Sequence, residues 1–174
     1  MKCLTVCQPW AWAIVAGPKG IENRTWFTPY RGLILIHAGA SRGWLNSATP
    51  AELPGLPPVD QLVFSAFVGV ARVVDCVAKS RLRKDHPYAE GPWCWVLADR
   101  RPIKPVPARG ALGIWEIPDD VGAGILDGRV TEHNPPVRID VAATTSKHAE
   151  TFAQLRRANA AEASLFGPIT PAHP

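Results

Sequence analysis

Pro9 and Gly17 leave room for one short helix, and from there to residue 117 the chain reads as brief extended segments cut by glycine and proline. Proline suits the first turn of a helix, where its missing N–H costs nothing, and glycine suits the position just past the end. Between them Trp10, Ala13 and Ile14 share the i, i+3, i+4 spacing of one buried stripe, which leaves Trp12 on another side. Extended segments are expected at 2–6, 21–26, 32–38, 66–77, 93–98 and 112–117. Gly69, inside the longest of them, marks a bulge or the close approach of another backbone. Six short strands with little helix predict a mainly β fold with α (α+β), a small β-barrel with flanking helices.

At 174 residues, with 47% hydrophobic and 20% charged side chains, the chain can bury one sizeable core and is not a wholly disordered polymer. Its charge is unevenly placed. Residues 1–117 carry 14 Lys and Arg against 8 Asp and Glu, a net +6, while 118–174 carry 5 against 7, a net −2. All seven tryptophans lie in the basic part. A positive domain with spare aromatic faces suits a polyanion that carries bases. No apolar run is long enough for a signal peptide or a membrane span, so a cytoplasmic protein with no membrane partner is expected. Cys3, Cys7, Cys76 and Cys94 form no C-x-x-C pair and read as buried free thiols, and no motif asks for a metal or an organic cofactor.

The domain is expected at 1–117, followed by a polar and proline-rich extension at 118–174 with one helix at about 147–163. That extension could dock on a protein partner.

The chemistry concentrates between Lys19 and Trp26. Glu22, Arg24 and Trp26 alternate with Ile21, Asn23 and Thr25, which puts the charged pair and one indole on a single strand face, with Lys19 at its entry. Lys19 and Glu22 can form a structural ion pair or a ligand-facing acid and base. Arg24 can clasp a phosphate with its planar fork or orient Glu22. Trp10, Trp95 and Trp115 are assigned to the core, and Trp12, Trp26 and Trp93 to a base-stacking surface. Arg81, Arg83, Lys84, Arg100, Arg101 and Lys104 form two basic clusters flanking the Trp93 strand and suit a phosphate-contacting rim. With Arg31, the contact set for nucleic acid is Trp12, Lys19, Glu22, Arg24, Trp26, Arg31, Trp93, Arg100 and Arg101. His37 reads as a structural histidine.

Gly17, Lys19, Glu22 and Arg24 spell G-x-K-x-x-E-x-R, and further blocks follow at Tyr30-Arg31-Gly32, at 67–76, at Gly91-Pro92-Trp93 and at Gly113-Ile114-Trp115. In these the chain resembles the ASCH domain (activating signal cointegrator homology) of the PUA-like superfamily over about residues 1–117. The resemblance implies a PUA-like barrel and binding of RNA or DNA, with a nucleobase-sized pocket that could read a modified base. It also implies an alternative, hydrolysis of RNA or of a modified cytidine nucleoside through Lys19 and Glu22. The short amidohydrolases of this family carry a threonine nucleophile three residues after the lysine, where this chain has Glu22. Thr25 falls on the opposite strand face.

Overall fold

A computed structural model describes residues 1–49 and 51–133, which belong to the first of two compact units, Met1–Val137. The helix expected at 147–163 and the proposed docking extension beyond 133 lie outside the described residues.

Strand β1 (Lys2–Val6) leads into α1 (Trp10–Val15), followed by β2 (Ile21–Arg24) and β3 (Gly32–Ala38). A long connection precedes β4 (Ala66–Ala78) and β5 (Trp93–Pro107), and the described chain closes with β6 (Ile114–Glu116) and α2 (Asp119–Leu126). Six strands form one sheet in the order β2-β5-β4-β3-β1-β6. Only β1 and β3 run parallel. A parallel pair needs a crossover of about a dozen residues or more, and here residues 7–31, carrying α1 and β2, make it.

The sheet is a half-barrel, because β2 and β6 end it without pairing to each other. Its curl nevertheless brings β2 back over β1, since Arg24 Nη2 donates to the Thr5 carbonyl at 2.7 Å. A side chain thus stitches two strands whose backbones do not meet. The α+β architecture expected from the pattern of short strands is the one observed.

Alternation along the strands buries both faces. Leu4, Val6, Ile34, Ile36, Ala71, Val73 and Trp95 pack with Ala11, Ile14 and Val15 of α1 on one face. Cys3, Leu35, Phe67, Val70 and Val106 pack with Ile117 and Ile125 on the other. Burying one such aliphatic side chain is worth about 1.5–3 kcal/mol, so these two clusters dominate the favourable side of folding. At Gly69 a Cβ would stand 2.4 Å from Val15 Cγ1 and 2.7 Å from the Arg101 carbonyl. The β4–β5 register also shifts there. The glycine is therefore both a bulge and the point where α1 lies against the sheet.

Three differences from the sequence expectation stand out. Strand β2 stops at Arg24, two residues early, so the alternation that would place Trp26 beside Glu22 and Arg24 ends before it. Strand β5 runs on to Pro107, because the prolines at 102, 105 and 107 fall on the half of β5 that β2 does not cover. Residues 119–126, expected as the start of a polar extension, form α2: Asp119 and Asp120 occupy its first turn, where negative charge is favoured, and Ile125 is buried. Its glycines are packing residues, since a Cβ on Gly122 would meet Met1 at 2.7 Å and one on Gly124 would meet Val130 at the same distance.

Candidate nucleic-acid interface

Local chemistry fixes the turn that carries Lys19. Gln8 Oε1 accepts from the Trp12 N–H at 3.0 Å and its Nε2 donates to the Val63 carbonyl at 2.8 Å, so a buried side chain caps the start of α1. At the other end Gly17 N–H donates to Trp12 O and Lys19 N–H to Ala13 O. A Cβ at Gly17 would lie 2.8 Å from the Trp12 ring and 2.9 Å from Ala13 Cα, so only glycine fits this turn. Arg100, reaching across from β5, donates through Nη1 to the carbonyls of Ile14, Gly17 and Lys19 at 3.0–3.1 Å.

Lys19 and Glu22 are 3% and 6% exposed. Lys19 Nζ donates to Glu22 Oε2 at 3.0 Å and to the Ile21 carbonyl, and it lies 5.8 Å above the Trp10 ring. Arg24 Nε stands 3.1 Å from Glu22 Oε1, an ion pair whose N–H is not aligned on the oxygen. Lysine, glutamate and arginine thus form one line of charge, as the shared strand face of Glu22 and Arg24 predicts. Burying such charges costs several kcal/mol per ion before their attraction offsets it, so stability alone is a weak reason for the arrangement.

The line opens into a cavity of about 280 Å³, bounded by Thr5, Val6 and Cys7 at the end of β1, Lys19, Glu22, Asn23 and Arg24, and the side chains of Trp10, Trp44, Tyr88 and Glu90. It occupies the gap between β2 and the end of β1, Thr5 and Val6, that β6 does not pair. That volume sits just below the ~300–1,000 Å³ usual for small-molecule sites. Two connections form the outer wall. Tyr88 O–H donates to the Glu52 carbonyl at 2.9 Å and joins them, while Asn23 ties the second to β2 through Tyr88 O and the Glu90 N–H. Trp44 is 56% exposed at the rim.

The sequence reading and the structure agree on Lys19, Glu22 and Arg24 and part over the rest. Trp10, assigned to the core, is a cavity wall: it opens α1 and shows one side to the core and one to the cavity. Trp12 is half-buried against Gly17 and near Gly55. Trp26 stacks edge-on to Trp95 at 4.7 Å, and Trp93 lies against Phe27 at 5.1 Å. Arg31 pairs with Asp75 at 2.7 Å and donates to the carbonyls of Thr28 and Tyr30. Arg100 is the clamp on α1. Arg101 is exposed on β5, eight residues beyond Trp93 and, at about 3.3 Å per residue, roughly 26 Å further along the strand. None of these six lines the cavity. Trp95 is fully buried, and Trp115 is half-buried against Phe67, as their core assignment predicts.

Sequence reasoning passed over Thr5, Cys7, Asn23, Trp44, Tyr88 and Glu90. Trp44, Tyr88 and Glu90 lie in connections without a hydrophobic period, and the excess of tryptophan was the one signal that pointed toward Trp44. Cys7, expected buried with the other thiols, is half-buried at the cavity. Cys3 is enclosed, and burial raises its pKa to about 12; burial likewise pushes the Cys76 and Cys94 thiols up. Thr25 is exposed and does not reach the cavity. Each Glu22 oxygen faces one cation, Oε2 the Lys19 ammonium and Oε1 the Arg24 guanidinium.

A family model described as "ASCH domain" matches residues 4–107. Activating signal cointegrator 1 of Homo sapiens is 24% identical over 148 residues, an alignment covering 75% of this chain and 25% of that protein. Its Mus musculus counterpart is 25% identical with the same coverage. The chain thus spans about a quarter of the length of these relatives. Among solved structures, ASCH from Zymomonas mobilis is similar with a TM-score of 0.48 at 17% identity, covering 77% of this chain and 97% of that one.

Proposed function

Because the chain belongs to the ASCH domain family, which its match over residues 4–107 shows, we propose that it binds nucleic acid, RNA foremost, by taking one unpaired base into the cavity between β1 and β2. The observation that carries this reading is the buried Lys19–Glu22–Arg24 line opening onto a base-sized space walled by Trp10, Trp44 and Tyr88. A flat heteroaromatic ring fits between aromatic walls, where each stacked base is worth ~1–3 kcal/mol. Lysine has three N–H donors, and two of them are used by Ile21 O and Glu22. The third is left for a base carbonyl. Each Glu22 oxygen keeps a lone-pair direction for an exocyclic amine. A base bearing a small modification is a variant of the same occupancy.

The test is a tryptophan-quenching and anisotropy titration with single-stranded RNA, single-stranded DNA and base-modified nucleosides, using the wild type and Lys19→Ala, with folding of both checked by thermal melting. The expected outcome is salt-dependent RNA binding that weakens at least tenfold in Lys19→Ala at unchanged fold. Equal binding by the two proteins would remove the cavity from the reading. Nucleoside binding without polymer binding would move it to free modified nucleosides.

A further inference from the structure

We infer that the exposed cations Lys79, Arg81 and Lys84, at the start of the β4–β5 connection, hold the phosphates that flank the base in the cavity, so that a single-stranded RNA crosses the protein over this connection. The inference rests on the base-binding reading above and adds the path of the backbone.

One connection carries both halves of such a site. Its later residues, Tyr88 and Glu90, stand on the cavity wall. Its earlier residues Lys79, Arg81, Arg83 and Lys84 are all exposed. Between them Leu82 turns inward against a small cluster of Ile21, Ala89 and Cys94, which anchors the basic turn to β2. Asn23 adds two hydrogen bonds between β2 and the same connection, to Tyr88 O and from the Glu90 N–H. Glu22 and Arg24 flank Asn23. The charged line in the cavity and the backbone of the connection that carries the basic turn are therefore held on one frame.

The charges on this turn are mostly uncompensated. Asp85 engages Arg83 at 2.8 Å. The side chains of Lys79, Arg81 and Lys84 have no hydrogen bond or ion pair with any described residue, and the carboxylate nearest in charge to Arg81, Asp75, is already paired with Arg31 at 2.7 Å. Three unpaired cations on the connection that walls a base-sized recess make a field that draws phosphates to it. Arg101 and Lys104, which the sequence placed in the same rim, lie toward the far end of β5 and cannot touch the same nucleotides. A base seated behind Trp44 and Tyr88 must be unpaired, which selects a single strand.

The experiment measures the dependence of log Kd on log salt concentration for a short single-stranded RNA. It compares the wild type with the triple variant Lys79→Gln, Arg81→Gln, Lys84→Gln and with the double variant Arg101→Gln, Lys104→Gln. Each single-strand phosphate contact contributes about 0.7 to the slope, so the triple variant is expected to lose about 2 and the double variant nothing. Affinity for an uncharged nucleoside should be the same in all three. An unchanged slope in the triple variant overturns the backbone path, and if Lys19→Ala still weakens binding the base pocket survives it. An equal loss in both variants also overturns it, because the effect would then come from net charge. RNA binding by none of the proteins would end the path and the pocket reading together.

Discussion

Trp10 and Trp26 differ in a way their spacing conceals. Trp10 sits on the buried stripe of α1, yet as the first residue of a six-residue helix it has no preceding turn to cover it, and its ring reaches the cavity under Lys19. Trp26 lies just beyond β2 with its ring against Trp95. If Trp10 is a stacking wall, Trp10→Ala should weaken base binding by ~1–3 kcal/mol, roughly 5- to 150-fold, while Trp26→Phe leaves it unchanged. Nucleoside titration of the two variants, read by calorimetry because tryptophan emission itself changes, distinguishes them. Trp44 is the companion case at the rim: its exposure costs the folded state apolar contact with water, and a base stacked there would cover it.

Among the elements, α1 and the turn after it decide where Lys19 stands, and Arg100 decides where that turn stands. One guanidinium nitrogen serves three carbonyls at the end of a short helix that has no basic residue of its own in its last turn. Hydrogen bonds from a charged donor are worth about 1.5–3 kcal/mol, so Arg100→Ala should lower unfolding stability by about that much in urea denaturation. Arg100→Lys should restore only part of it, because a point charge on a flexible stem lacks the planar fork. The salt dependence of RNA binding should not change in either variant, in contrast with the turn at Lys79–Arg81. Strand β4 shows the same dependence on a neighbour: Gly69 admits α1 to the sheet, and a larger residue there would push the helix and Lys19 away together.

For the molecule as a whole, acid is the informative perturbation. His37 is 1% exposed, Nε2 faces the Ala108 carbonyl at 3.0 Å, and Nδ1 has no hydrogen-bond partner among the described residues. Burial lowers its pKa below the ordinary histidine value, and the half-buried His133 is lowered for the same reason. The unfolded chain then binds these protons at about pH 6.5 while the folded chain resists them. Stability is thus complete above about pH 6.5 and falls as the pH drops from there toward the depressed folded values. Thermal melts from pH 8 to pH 5 should show this decline, and His37→Gln should flatten it. At lower pH the carboxylates of Asp75, Asp85 and Asp119 add a loss of the same sign, since hydrogen bonds hold each below its ordinary range in the folded state.

How much was legible follows the range of the forces involved. The short helix, the starts of the first five strands, the closeness of Glu22 and Arg24, and the buried Trp95 could all be read from the chain, because each depends on neighbours a few residues away or on the period of burial. Gly122 and Gly124 fall in the stretch expected as a polar extension, and their packing role exists only once Met1 and Val130 are brought against them. The cavity wall was only half visible for the same reason. Trp44, Tyr88 and Glu90 join Lys19 in lining the cavity through two irregular connections tied by the hydrogen bond of Tyr88 to Glu52, across 36 positions of sequence. By itself the sequence determined the charged line and the strands that carry it. The curl of the sheet, which lays β2 over β1 and leaves a gap instead of a backbone pairing, was decided by tertiary structure alone, because packing across the whole core sets it.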